Sequence, residues 1–301
     1  MVIIEDMYYI CVVNEIKALN ICIVNSFNGK YMSKEKYTRD NFRSSLLKQI
    51  IIRVDYSSLT DLNGFIMKLK SLHLIKDTFS GYRLIKTNNI NFQIDSKVFE
   101  ERYIPLEVNE TGNIHRFFDC KIEPIQNTFM DISPTFICIT IQCNENYKII
   151  DPYLDFITNV VVTLREYDSY VTLERLAIRK IDGNDYDNIK EVYNIFEEIV
   201  GFENVMDDEQ SPLKKSYTDS FISKAANIKV NLTRSLERFS NGKIRYVLDI
   251  DGYVDSSLMS PDEIKSKEDV KYLLKNRINN ELFELFKTNV TEYFLSKGVI
   301  A

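Results

Sequence analysis

A chain of 301 residues with 45% hydrophobic and 27% charged content has the make-up of a globular protein that can bury a large core, which excludes a disordered or fibrous chain. Its net charge of −6 excludes nucleic-acid binding through bulk positive potential and leaves only a local basic patch for such a partner. No apolar run approaches the roughly 20 residues of a membrane span, and the N-terminus carries Glu5 and Asp6, so a cytoplasmic protein with no membrane partner is expected.

Residues 1–40 read apart from the rest of the chain. MYYICVV and LNICIVN are short apolar segments ahead of a polar stretch, which describes an N-terminal extension or small hairpin, with Met32 as an alternative start. The main domain is expected over 41–301, and the polar interval FENVMDDEQSPLKKS reads as a mobile connection joining two subdomains near 201–216.

LKQIIIRVDY alternates Ile50, Ile52, Val54 and Tyr56 against Ile51, Arg53 and Asp55, the period of a strand with one apolar face. Ser58 and Asp61 resemble a capping box. Leu62, Phe65, Ile66, Leu69 and Leu72 then recur at helical spacing as far as His73, which would close the helix beside its last carbonyls. Between Gly81 and Cys143, YRLIKT, NINFQID, RFFDCKIEP and TFICITIQC are rich in β-branched and aromatic residues, so antiparallel strands are expected.

Asp151 before Pro152 marks a capped helix start, with Ile150, Tyr153, Leu154, Ile157, Val161 and Leu164 on one stripe. That helix leads to VTLERLAIRKID, residues 171–182, a half-buried strand interrupted by two arginines. A second amphipathic helix carries Ile189, Val192, Tyr193, Phe196 and Val200 and runs out near Gly201. NIKVNLTRSLERF and KIRYVLDIDGYVD flank Asn241-Gly242, a hairpin signal, and Gly252 reads as a strand kink. Val270, Leu274, Ile278, Leu282, Leu285, Val290 and Phe294 then form a helical stripe that should close over the sheet. The fold class is α+β: an antiparallel sheet with helices packed mainly on one face and a long C-terminal helix.

Chemistry concentrates on the strand with two arginines. Arg175 and Arg179 share a face with Leu173, Ala177 and Ile181, and Asp249 and Asp251 share a face of a later strand. A buried guanidinium needs a partner. The four residues therefore form an ion-pair network across neighbouring strands, or the arginines line a concave site for a phosphate or carboxylate, or they are simply exposed. Two aspartates two apart also suit a metal ion, but no third ligand is spaced to complete the site, and no metal or cofactor is expected.

The five cysteines, Cys11, Cys22, Cys120, Cys138 and Cys143, form no C-x-x-C pair and read as reduced, largely buried thiols. His115 beside Cys120 or Cys143 would be the only Cys/His arrangement, and nothing local activates either thiol. Phosphate-binding glycine loops, G-x-S-x-G and H-E-x-x-H are all absent from the sequence. A nucleic-acid face would have to be assembled from Lys214, Lys215, Arg234, Arg238, Lys243 and Arg245.

SSLLKQIIIRVDYSSL, FIMKLKSLHLI, YLDFITNVV with RLAIRKID, VLDID and the ELFELF helix resemble, over about residues 44–297, a sporadically distributed bacterial family of uncharacterised proteins. That family carries an R-x-x-x-R-Y-x-N strand and an L-D-x-D strand followed by a helix. Arg175 and Arg179 match its motif, whereas Lys180 stands in the place of its tyrosine, Asp182 in that of its asparagine and Leu46-Leu47 in that of its proline-leucine. The resemblance implies a role in a mobile-element or antiviral defence or counter-defence locus and supplies no reaction. The leading expectation is a non-catalytic interaction or sensor protein with a protein partner. The alternatives are a nucleotide or phosphate-ligand protein or enzyme using Arg175/Arg179 and Asp249/Asp251, and a nucleic-acid-binding module.

Overall fold

The structure, a computed structural model, describes residues 34–39, 42–43, 46–87, 112–121, 128–143, 147, 149–197, 214–260, 264 and 266–298. Most of the expected extension or hairpin over residues 1–40, with Cys11 and Cys22, the NINFQID strand, Val200 with Gly201, and most of the FENVMDDEQSPLKKS interval lie outside the described residues.

Nine strands among the described residues form one sheet: β1 (Leu47–Tyr56), β2 (Phe79–Thr87), β3 (Gly112–Cys120), β4 (Phe129–Ile132), β5 (Phe136–Gln142), β6 (Leu173–Tyr186), β7 (Lys214–Ser223), β8 (Ile228–Arg238) and β9 (Ile244–Asp255). Every pairing is antiparallel, in the spatial order β2-β3-β4-β5-β1-β6-β9-β8-β7. Strands on either side of residues 198–213 therefore share one sheet. The alternation in β1 explains its central place: Ile50, Ile52 and Val54 are each 0% exposed on one face, the burial a two-sided neighbourhood allows.

Helices α1 (Leu62–Ser71), α2 (His73–Thr78), α3 (Asp151–Tyr167), α4 (Ile189–Ile195), α5 (Lys267–Tyr272), α6 (Asn280–Asn289) and α7 (Glu292–Lys297) complete a mixed α+β architecture, with a π-helical segment Leu273–Asn279 between α5 and α6. Their buried apolar side chains join the core that contains Ile50, Ile52, Val54, Leu176 and Ile178. A much smaller cluster of Ile51, Ile114, Phe136 and Cys138 lies on the opposite face.

Several local expectations need correcting. The cap of α1 is Asp61 itself, whose carboxylate accepts from the Gly64 N–H at 2.9 Å, so Ser58 has no capping role. Leu72 is extended (ψ 141°), so His73 opens α2 instead of closing α1; the break lets both Leu69 and Ile75 reach the core. Ile150, which has no polar side-chain atom, occupies the cap position of α3, while Asp151 lies in the first turn and pairs with Lys275. Helix α4 stops at Ile195, since Phe196 leaves it to bridge Val290, and Tyr193 stays exposed.

The end of the polar interval is ordered: Lys214 and Lys215 begin β7, opposite Glu237 and Leu236. Strands β4 and β7 were not legible as separate elements, β4 being only four residues long and β7 exposed along nearly its whole length.

Gly252 is no kink but a point of close approach. It lies within β9 between Ile178 and Val230, and a Cβ there would stand 2.6 Å from the Leu282 Cδ2 and 3.2 Å from the Ile228 Cδ1. The missing side chain lets α6 sit directly on the sheet. Gly252→Val is expected to lower stability by about 1–3 kcal/mol through overpacking. Unfolding in urea checks this, and an unchanged midpoint would mean that α6 can rise off β9 without loss.

Candidate functional site

The face of the sheet opposite the helices carries a ladder of charges. The strand period places Arg53 and Asp55 of β1, Arg175 and Arg179 of β6, and Asp249, Asp251 and Asp255 of β9 on it together. Arg179 donates through Nε and Nη2 to both oxygens of Asp249 at 2.8 and 2.7 Å. Arg175 donates to Asp251 at 3.0 Å, stands 3.6 Å from Asp55 and lies 4.3 Å over the ring of Tyr253. Asp55 also accepts from Arg53 Nε at 2.5 Å, and Lys229 donates to Asp255 at 2.6 Å.

The pairing is diagonal. Register sets Arg179 opposite Asp251, yet its fork reaches Asp249, one step along β9, and Arg175 takes Asp251 in its place. Burial pushes the Asp249 carboxyl up from its ordinary range while the Arg179 guanidinium opposes that shift. The Arg179 fork is thus filled by one carboxylate, whereas Arg175 gives a single hydrogen bond to Asp251 and its buried Nε has no hydrogen-bond partner among the described residues. Further out on the same face, Arg116 and Asp131 make a second bidentate pair at 2.7 and 2.6 Å, with Arg116 lying 3.9 Å over Phe129.

The other phase of β6 holds the less expected residues. Leu176 and Ile178 face the helices and the core, and the same phase continues with Lys180 and Asp182. Their cross-strand neighbours are apolar, Ile50 and Ile250 for Lys180, and Leu47 and Leu248 for Asp182. An amine and a carboxyl thus stand where the pattern calls for two hydrophobes.

They open onto a cavity of about 540 Å³ between the β1–β6 end of the sheet, residues 35–39 and 42–43, and the π-helical segment with α6. Residues 34–39 are anchored at Lys34, which donates to the Val290 carbonyl at 2.5 Å, the Lys287 carbonyl at 3.0 Å and Glu197 at 2.8 Å. Opposite β6, the wider π turns bring Lys275 and Asn279 to the cavity wall. Lys275 is held by Asp151, which also lies 4.0 Å from Arg39. Asn279 is 1% exposed, and neither its amide oxygen nor its amide nitrogen has a hydrogen-bond partner among the described residues.

Electrostatics in this cavity are unusual. Burial pushes the Asp182 carboxyl up to about 7, with Lys180 opposing and Asp249 adding to the shift. Burial, helped by Arg39 and opposed by Asp182, pushes the Lys180 amine down to about 8. Cys143 and Tyr147, also on the wall, are pushed well up by burial and are held as neutral thiol and phenol.

The remaining candidates disperse. Lys215, Arg234 and Arg238 lie on the helix face of the sheet, Lys214 and Arg245 on the ladder face, and Lys243 beside the turn at Gly242. Arg234 engages Asp219 and Asn289, and Arg245 engages Asp185 at 2.7 and 3.1 Å, so the six basic residues do not meet on one surface. His115 shares a hydrogen bond of 2.8 Å with the Tyr82 hydroxyl and is pushed down by burial. Burial pushes the Cys138 thiol up to about 12, far from a thiolate. Among the described residues, no group of three or more His, Cys, Asp or Glu side chains is placed to hold a metal ion, and no helix is long and apolar enough to cross a membrane.

The sequence pattern singled out the two arginines and the two aspartates; Lys180, Asp182, Asn279 and Lys275 were not singled out as site residues. A signal for the first two was present, since Lys180 and Asp182 continue the apolar phase of Leu176 and Ile178. Nothing in the sequence marks Asn279, whose burial depends on helical packing.

Fold and site together define an α+β protein with one charged sheet face and a polar cavity beneath its C-terminal helices. Against known proteins, the chain matches no family model, no curated protein and no solved structure.

Proposed function

We propose that the chain is a non-catalytic sensor that binds a small polar ligand in the Lys180–Asp182 cavity and passes the bound state to a protein partner. The observation that carries this reading is the placement of Lys180 and Asp182 on the apolar phase of a central strand, facing a cavity of about 540 Å³. Local rules are broken in this way where function requires it. A volume in the range of small-molecule sites, with polar groups set into an apolar and aromatic wall, supports the same reading.

The charge ladder serves as scaffold for that cavity. A phosphate at Arg179 would have to displace Asp249 from both arms of its fork, and one at Arg175 would compete with Asp251. The partner half of the proposal is favoured by β7, an edge of the sheet among the described residues on which Tyr217, Phe221 and Ile222 stand exposed. The resemblance supports setting this sensor in a mobile-element or defence locus. Lys180 and Asp182 are the two positions in the resembled strand motif where this chain differs, which fits a ligand particular to this protein.

A thermal-shift screen of the full chain with polar metabolites, nucleotides and divalent metals tests the reading. A ligand at 100 times its Kd stabilises by about 2.7 kcal/mol, a shift of several degrees for a protein of this size. At least one compound is expected to give such a shift in the parent and not in Lys180→Met. A parent that no compound moves would overturn the proposal.

A further inference from the structure

Building on the sensor reading, we infer that the cavity takes a nucleobase, free or as its nucleoside, recognised through the amide of Asn279. Three observations narrow the ligand to this class. First, Asn279 is 1% exposed and both ends of its amide lack a partner among the described residues. A buried amide left in this state is costly, and the group that would satisfy it presents a donor beside an acceptor. The edge of a nucleobase has that pattern, and asparagine reads it with two parallel hydrogen bonds.

Second, the wall is close to electrically balanced, with five basic and four acidic side chains. Lys275 is already held by Asp151, and Lys180 faces Asp182. A phosphorylated ligand would find a surplus of only one positive charge, whereas a neutral one meets no repulsion. Third, Tyr37, Phe42, Tyr147 and Phe283 border the same space. Phe42 and Phe283 lie with ring centroids 6.1 Å apart, an aromatic wall of the kind on which a planar heterocycle stacks. Lys180 and Asp182 then supply a donor and an acceptor to the remaining edge of the ring.

The test is calorimetric titration of the full chain with the four common nucleosides, with ATP as a charged analogue and glutamine as an amide without a ring. At least one nucleoside is expected to bind, and Asn279→Leu is expected to weaken it tenfold or more. In the absence of ligand, the same variant should melt a few degrees higher than the parent, because leucine of similar size removes two unsatisfied polar atoms from the interior. A lower melting point would mark Asn279 as structural and overturn the inference. Asn279→Asp keeps the shape and loses the donor, so it should also lose binding, and it keeps the test valid if the leucine variant does not fold. Binding of ATP or glutamine with no nucleoside bound would overturn the nucleobase assignment and leave the sensor reading standing. Absence of binding by these compounds and by the whole screen would overturn both.

Discussion

Arg179→Met is expected to lower stability by about 3–5 kcal/mol, the cost of removing one partner from a buried ion pair. Asp249 is 4% exposed and takes both of its strong hydrogen bonds from this one fork. Without it the carboxylate must either stay charged in a low-dielectric setting or take up a proton. Arg175→Met should cost much less, about 1 kcal/mol, since that pair makes a single hydrogen bond and both side chains are partly solvated. The diagonal geometry sharpens the experiment further. In a double-mutant cycle Arg179 should couple to Asp249 more strongly than to Asp251, although register sets it opposite Asp251. Removing both members, Arg179→Met with Asp249→Leu, should recover a good part of the loss. A loss below about 1 kcal/mol for Arg179→Met in urea unfolding would mean that the pair is solvated and the ladder is a surface feature.

Asp182→Asn is expected to be more stable than the parent above neutral pH and equal to it near pH 4. In the native state the carboxyl is pushed up to about 7 from its ordinary 3.8, chiefly by burial. Between those values the native state holds a proton that the unfolded chain has released, so the parent loses stability as pH rises across this window. Asparagine mimics the protonated form and carries no such loss. The difference, at about 1.4 kcal/mol per pH unit, grows to at most about 4 kcal/mol by pH 8. Lys180 acts with the opposite sign. Its amine is pushed down from 10.5 to about 8, so over that interval the unfolded chain holds the extra proton and parent stability rises with pH. Lys180→Met should remove that rise. Urea titrations at pH 4.5, 6, 8 and 10 separate the two residues, and parallel curves for parent and Asp182→Asn would show that the carboxyl is not buried as described. Asparagine at 182 is also the residue of the resembled motif, so the variant asks what this chain gains by departing from it.

Much of the fold could be read from period alone. The alternation of Ile50, Ile52, Val54 and Tyr56 fixed both the strand and its buried face, because burial on one side leaves only one phase for the apolar residues. Asn241-Gly242 marked the β8–β9 hairpin, where Gly242 takes a φ of +83°. The stripe from Val270 to Leu282 anticipated a helical run over the sheet, since Val270, Leu274, Ile278 and Leu282 are all buried. What period could not show was where that run would widen into π turns or break at Val290, because those choices answer to packing against Phe196 and β9.

The two arginines of β6 were marked by the sequence itself, for a guanidinium in a half-buried strand requires a counter-charge and the D-x-D of β9 offered one. By itself, then, the chain determined its fold class, its central strand and the residue types of its charged ladder, all consequences of local spacing. Only the tertiary structure decided that Arg179 reaches Asp249 by a diagonal step, because strand stagger and side-chain direction lie outside any one-dimensional pattern. It alone turned Lys180, Asp182 and Asn279, from two distant segments, toward one cavity. A cavity is a property of how surfaces fail to meet, and no single stretch of chain encodes it.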